Sequence, residues 1–520
     1  MDRGIGQWLT KHADISGSRT ALADRSGRVT YSELDIRTTK LARALRESGV
    51  RPGDRVALLA LNSIAFLETL FATAKLGAIC VPLNYRLSAG EIAYGLSDSG
   101  AMILVHSREF TELAQQSLKD PSAQVNLRIE IGSADSHEES KSPVRTYEEF
   151  LQEGSTGALN SHVSPDDVAL ILYTSGTTGR PKGAMLTHGA LHANSVHALL
   201  MGSGLSRYDV TVTPAPLFHV GGLAVHALPL LYAGGMNFLQ ESFDPTRTLE
   251  AMSREGATLQ FLVPAMWAAL TQVPDFESYD LSALKFVVSG GAPCPLTVIK
   301  FLQAHGWMFL EGFGMTETSA STMLLDAEHA VSKLGTVGKP LMHVDAKVVD
   351  ADEREVGTGQ VGELVLRGPN LFKGYWGLPA ATDEAWRGGW FHTGDLAKID
   401  ADGYFTLVDR KKDMVITGGE NVYPIEVEQV IHRHPAVQDV AVIGVPDDRW
   451  GEAVVAIVVP TPGEQVEAQD IISFTREYLA HFKCPKRVEL VEELPRTATG
   501  KLLKRELRVT YTGSAASVTR

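Results

Sequence analysis

The sequence predicts an α/β fold in at least two domains, and three observations predict it. The chain has 520 residues, more than a single hydrophobic core ordinarily serves. Its first part alternates short apolar runs with helical periodicities, the pattern of parallel strands joined by helical crossovers. Beyond about residue 410 the pattern changes to helix, strand, strand and helix, an α+β signature over roughly a hundred residues, which is a usual domain size.

Each element has a local reason. Val29-Thr30-Tyr31 leads to Ser32, read as the N-cap of a helix with Leu41 and Leu45 on its periodic face. Arg51-Pro52-Gly53-Asp54 is a turn into a buried strand at 56–59. Ser63 opens the next helix, which puts Leu67, Leu70, Phe71 and Ala74 on one face and stops at Gly77. A strand follows at 79–83, then a capping box of Ser88 and Glu91, then a strand at 102–105. Residues 132–145 are polar and read as a surface excursion. Residues 168–172 form a further apolar strand, and 362–367 and 403–407 read as antiparallel strands. In the last region 424–434 and 468–479 are helical, 440–445 and 453–459 are strands, and 512–520 are expected to fray. No internal repeat is visible.

Composition narrows the function classes. Hydrophobic residues make up 44% and charged residues 21%, as in globular proteins. No window reaches the roughly 18 unbroken apolar residues of a membrane span, and the polar N-terminus lacks a signal-peptide core. Cys80, Cys294 and Cys484 are far apart and odd in number, which predicts no disulfide framework and a reduced, cytoplasmic setting. A formal charge of −14 excludes a broad nucleic-acid surface but leaves room for a local anion pocket.

The strongest chemical signal is Tyr173-Thr174-Ser175-Gly176-Thr177-Thr178-Gly179-Arg180-Pro181-Lys182-Gly183, directly after the 168–172 strand. Glycines let backbone N–H groups approach an anion, the hydroxyls add donors, and Lys182 adds a point charge. No GxxxxGK[ST] occurs, so this is phosphate-gripping chemistry of another kind. A solvated turn is the bland alternative, and a run this biased after a buried strand weighs against it.

That loop resembles the signature of the adenylate-forming superfamily, which contains acyl-CoA synthetases, luciferases and the adenylation domains of peptide synthetases. Seven further motifs appear in the family's order: Ala215-Pro216-Leu217-Phe218-His219, Ser289-Gly290-Gly291-Ala292-Pro293, Gly312-Phe313-Gly314-Met315-Thr316-Glu317, Trp390-Phe391-His392-Thr393-Gly394-Asp395, Asp409-Arg410-Lys411-Lys412-Asp413, Gly418-Gly419-Glu420-Asn421 and Pro495-Arg496-Thr497-Ala498-Thr499-Gly500-Lys501. The resemblance runs from about residue 20 to 508. It implies a large multi-sheet α/β N-terminal adenylation domain (1–410) and a small mobile α+β lid (411–520), with the site in the cleft between them.

The implied residue roles follow the chemistry. Attack of a carboxylate on the α-phosphorus of ATP brings two anions together, so the site must supply positive charge and positioning. By resemblance, Thr174, Ser175, Gly176, Thr177, Thr178, Gly179 and Lys182 grip phosphates. Gly291, Ala292, Pro293, Glu311, Gly312, Phe313, Gly314 and Met315 line the nucleotide, with Phe313 stacked on adenine. Glu317 and Thr177 hold Mg²⁺, and Thr316 donates to the α-phosphate. Asp395 accepts from both ribose hydroxyls and Arg410 assists. Lys501 bridges the substrate carboxylate and the nucleotide during adenylation only. The lid then turns about Lys412 to admit a thiol past Gly418 and Gly419. Trp450, Phe482 and Lys486 match positions that meet the CoA nucleotide in some aryl-CoA ligases, and Cys484 stands where some of those carry a basic residue.

His219 takes the place where amino-acid-activating domains carry an aspartate, which favours an uncharged acid end. His219, Val220, Gly221, Gly222 and Leu223 are expected on one wall of the acyl pocket, with Ser289, Gly290, Gly291 and residues 312–314 on the others. A satisfied core histidine is the plainer reading of His219. The expected reaction joins a medium- or long-chain fatty acid to CoA through an acyl-AMP, with ATP, Mg²⁺ and CoA required. Aryl or cinnamic-type acids come second, and loading of a carrier protein is a further alternative. A luciferase-like oxygenase and a non-enzymatic binding protein rank below these. The partners are then small molecules only, and a homodimer is an allowed assembly.

Overall fold

A computed structural model describes residues 4–132, 144–157, 159, 161–174, 180–411, 413–418, 420–447, 449–464, 466–496 and 502–512. The chain divides into two compact units. The first comprises residues 1–345 and 367–391, the second 346–366 and 392–520. Residues 346–366 and 392–410 thus group with the C-terminal segment, whereas the sequence reading places them before its division at 410.

Three sheets build the first unit, and the α/β class is as expected. The largest has eight strands, in the order Gly374–Tyr375, Lys182–Thr187, Val168–Thr174, Ile79–Pro82, Arg55–Leu59, Ile103–Ser107, Leu127–Ile131, Val144–Thr146. From Val168–Thr174 onward its pairings are parallel, as alternating strands and helices require. The helix Ile64–Leu76 is capped by the Ser63 side chain and is buried nearly all round. Ser88 and Glu91 form the expected capping box of Ala89–Ser99. Ser32 does not cap its helix. Thr30 does, in a capping box with Glu33, and the helix runs Tyr31–Glu47. The reciprocal Thr-x-x-Glu pair outcompetes the serine two residues later.

A second sheet orders Leu259–Leu262, Phe286–Gly290, Met308–Phe313, Met323–Leu325 and Lys339–Pro340, its first three strands parallel. A third orders Val210–Thr213, Met236–Leu239, Thr20–Asp24 and Gly27–Thr30. Gln260 stitches the two together by copying a strand pairing: Val212 N–H donates to its Oε1 (3.3 Å) and its Nε2 donates to the Val212 carbonyl (2.8 Å).

In the second unit, Val437–Asp447 and Gly451–Pro460 pair antiparallel, Arg487–Leu490 adds in parallel, and Pro424–Ile431 and Ala468–Tyr478 pack alongside. The helix expected at 424–434 ends earlier, and the strand expected at 403–407 is Phe405–Arg410. Most of residues 132–145 and 512–520 lie outside the described residues. Among the described residues no helix is long and apolar enough to cross a membrane.

Candidate active site

The Tyr173–Gly183 motif lies where two antiparallel strands meet. Val168–Thr174 returns antiparallel as Lys182–Thr187, with Thr174 opposite Lys182. Lys182 is therefore the first residue of a strand, and its ammonium lies 5.0 Å from the centre of the Tyr375 ring. Ser175, Gly176, Thr177, Thr178 and Gly179 lie outside the described residues.

Tyr375 also leads to Glu317, since its hydroxyl donates to Glu317 Oε1 at 2.9 Å. Glu317 is buried in a short 3₁₀ turn, Thr316–Thr318, and its carbonyl accepts from Phe372 N–H at 2.8 Å. The chain then passes through Ser319 and Ala320 with positive φ (53° and 98°), a conformation that costs non-glycine residues about 1–3 kcal/mol each. Buried amides hold it there. Asn370 Nδ2 donates to the carbonyls of Thr318 and Ser321, both at 2.9 Å, and Asn194 Oδ1 accepts from Ser321 N–H at 3.3 Å. Gly314 has to be glycine, because a side chain there would run into the Ala320 carbonyl oxygen.

Parallel pairing brings two motifs side by side, with Ser289 opposite Glu311 and Gly290 opposite Gly312. Glu311 Oε1 accepts from Cys294 N–H at 2.9 Å, which ties the 290–294 loop to the strand carrying Phe313. Burial pushes the Glu311 carboxyl up to about 7, against the opposing pull of that hydrogen bond. Burial also raises the Cys294 thiol to about 12.

Asn62 positions the segment before His219. Buried at 2% exposure, it donates to the carbonyls of Thr213, Ala215 and Gln240 and accepts from Leu217 N–H. His219 follows, its ring 4.5 Å from that of Phe218. Burial, and then the positive charge of Arg86, push its pKa down to about 4, so the imidazole is neutral at pH 7. Val220 packs on the apolar cluster that contains Phe261, Phe286, Val288 and Ala320, so the segment after His219 and the turn after Glu317 share one core.

In the second unit Asp395 lies opposite Arg410 on paired strands, and Arg410 Nε is 3.6 Å from Asp395 Oδ1. Gly418, Trp450 and Lys486 come together. Gly418 N–H donates to the Trp450 carbonyl at 2.8 Å, a side chain at Gly418 would press on the indole, and the Lys486 ammonium is 6.0 Å from the ring centre. Trp450 is 39% exposed, and the Arg449 guanidinium stacks 4.7 Å from its ring centre. Phe482 packs against the apolar cluster around Val415 and Val427. Cys484 is buried, and its thiol points at the carbonyls of Leu479 and Ala480 at the end of the preceding helix. Lys412, Gly419 and residues 497–501, Lys501 among them, lie outside the described residues.

The residues that sequence reasoning missed are mostly amides. Asn62, Asn194, Gln260 and Asn370 hold segments far away in the chain, and Tyr375 holds Glu317.

A family model described as AMP-binding enzyme matches residues 9–376, and one described as AMP-binding enzyme C-terminal domain matches 426–501. The chain is 42% identical over 507 residues to a feruloyl-CoA synthase of an Amycolatopsis species, covering 98% of this chain and 99% of that one. It is 36% identical over 521 residues to a long-chain-fatty-acid–CoA ligase of Mycobacterium tuberculosis, at 98% and 99% coverage. Among solved structures it is similar to ATP-bound MatB from Rhodopseudomonas palustris, with a TM-score of 0.88 at 33% identity over 98% and 99% of the two chains.

Proposed function

This chain belongs to the AMP-binding enzyme family, as an AMP-forming acid–thiol ligase, and from that premise we propose that its acid is aromatic. The first half-reaction forms a bond between the acid's carboxylate oxygen and the α-phosphorus of ATP while pyrophosphate leaves. In the second, the CoA thiol loses its proton, its sulfur attacks the acyl carbonyl, and AMP leaves.

One observation carries the choice of acid. The acyl wall is neutral and rich in rings, with His219 uncharged beside Phe218 and with Phe261 and Phe286 in the core behind Val220. Full-length kinship to a feruloyl-CoA synthase supports the same class. A long-chain fatty acid is the second reading, supported by the Mycobacterium tuberculosis relative.

Within this reading Glu317 fits Mg²⁺. Its carboxylate is buried and oriented by Tyr375, and a single carboxylate suffices beside phosphate oxygens and water. When bound, the ion would neutralise phosphate charge. Thr316 donates to the α-phosphate, Lys182 meets the outer phosphates, and Asp395 and Arg410 hold the ribose. Lys501 steadies the charge of the first step, and Lys412 is the hinge that lets it withdraw before the thiol enters past Gly418, with Trp450 and Lys486 receiving the CoA nucleotide.

The experiment is a panel of aromatic and aliphatic acids, scored by pyrophosphate release with and without CoA. The reading expects aryl and arylpropenoic acids to lead, and a thioester product only with CoA. Preferential turnover of long-chain acids would transfer the assignment to the second reading. Robust pyrophosphate release with no CoA thioester would point to a carrier protein as acceptor.

A further inference from the structure

His226 is a buried polar group that the mechanism above leaves unused. It is 3% exposed, and neither ring nitrogen has a hydrogen-bond partner among the described residues. It sits in the π-helical turn Leu223–Ala227, directly after the acyl-wall glycines, and π turns recur at functional sites. An unpaired buried imidazole costs on the order of 1–3 kcal/mol, so a partner should reach it. Its ring lines a small cavity with Thr211, Thr213, Ala215, Gly222 and Phe261, with room for about one water. Gly222 belongs to the acyl-wall segment 219–223, and Ala215 opens the motif that leads into it. Phe261 meets His226 edge to face at 6.3 Å, and its ring stands in ordinary contact distance of a methyl placed on Gly221 or Gly290, glycines of two different acyl walls.

We propose that this cavity is the blind end of the acyl pocket and takes a hydroxyl group on the far edge of an aromatic acid, with His226 making the hydrogen bond and Phe261 the ring contact. The inference rests on reading residues 219–223 as acyl wall. Burial holds the imidazole neutral, its pKa down at about 3, with one N–H donor and one acceptor nitrogen. A hydroxyl, which also donates and accepts, matches either tautomer, whereas a carboxylate or ammonium would bring an unpaired charge into an apolar core.

The test compares an arylpropenoic acid bearing a para hydroxyl with the same acid lacking it, on wild type, His226→Leu and His226→Gln, by pyrophosphate release and by CoA thioester. Wild type should favour the hydroxylated acid in kcat/KM by about tenfold, the worth of one buried hydrogen bond. His226→Leu should erase that ratio through a higher KM for the hydroxylated acid alone, and His226→Gln should restore part of it. Should the leucine variant fail to fold, His226→Asn, too short to reach, takes its place with the same expectation. Equal kcat/KM for the two acids in wild type overturns the inference, as does a preference that survives in the leucine variant; the cavity then holds a water only. Turnover of fatty acids with none of either aromatic acid overturns the aromatic reading as well, so the two failures are distinct.

Discussion

The turn that carries Glu317 in the first unit and the strand pair that carries Asp395 and Arg410 in the second hold their charged residues by opposite means. Around Glu317 the backbone itself is fixed. Two residues take left-handed φ, buried amides occupy the turn's carbonyls, and Tyr375 orients the carboxylate. Around Asp395 the fixing is by ion pairs in which buried carboxylates meet partly exposed cations, Arg410 at 3.6 Å and, close by, Lys411 on Glu363 at 3.1 Å. A buried hydrogen-bonded turn has one geometry, whereas an ion pair whose cation is solvated is screened and adjustable. The difference suits the proposed roles, in which Glu317 is fixed toward phosphate and metal and the second unit presents different groups in two half-reactions.

The largest effect belongs to Lys501. Lys501→Ala should lower acyl-AMP formation by at least a hundredfold, about 3 kcal/mol of barrier, yet leave thioester formation from supplied acyl-AMP within a few-fold of wild type. Equal loss in both half-reactions would break the contrast, because the second unit would then be as fixed in its task as the first.

Next comes Glu311. Its carboxyl is raised to about 7 in the folded chain, so the folded state holds a proton that the unfolded state releases near 4.5. Stability from this group is complete below about pH 4.5, falls as pH rises to about 7, and is level beyond, a loss on the order of 3 kcal/mol. Glu311→Gln, which still accepts from Cys294 N–H, should therefore match wild type at pH 4 to 5 and melt a few degrees higher at pH 8. A variant that gains at acid pH instead would contradict the sign. Asn370→Ala should follow at about 2 kcal/mol of lost stability, since it strips the donors from two carbonyls of the turn. A raised KM for ATP should accompany that loss, and an unaltered KM would mean the turn keeps its shape without the amide.

What was legible in the sequence was local. Ser63 and Ser88 act within three residues of themselves, and their helices begin where those side chains cap them. Thr30 with Glu33 carries the same kind of signal, which the nearer apolar periodicity of the Ser32 helix obscures. The return of the chain after Thr174 as an antiparallel strand depends on pairing across the sheet, to which a residue-by-residue pattern is blind. The amides are the clearest case. Asn62 reaches carbonyls more than 150 residues away, and Asn370 reaches back about 50, so nothing in their own neighbourhoods marks them. His226 looks like part of an apolar run in the sequence, because only the fold shows that its ring nitrogens lack partners among the described residues.

The smallest effect sharpens the other side of the contrast. Burial works to raise the Glu363 carboxyl, but the bond from Lys411 and then that from His392 outweigh it and hold the group below its ordinary value. A depressed carboxyl contributes stability above its unfolded pKa and loses that contribution as pH falls through the folded one. Lys411 is 57% exposed, so solvent screens most of the pair's attraction. Lys411→Gln should therefore cost well under about 1 kcal/mol at pH 7 and less at acid pH, and its cost at pH 7 should shrink further in 1 M salt, where charges are screened within about 3 Å. Denaturant unfolding of the full chain under these three conditions reads the difference. A loss rivalling that of Asn370→Ala and insensitive to salt would mean that this pair is as rigidly built as the Glu317 turn.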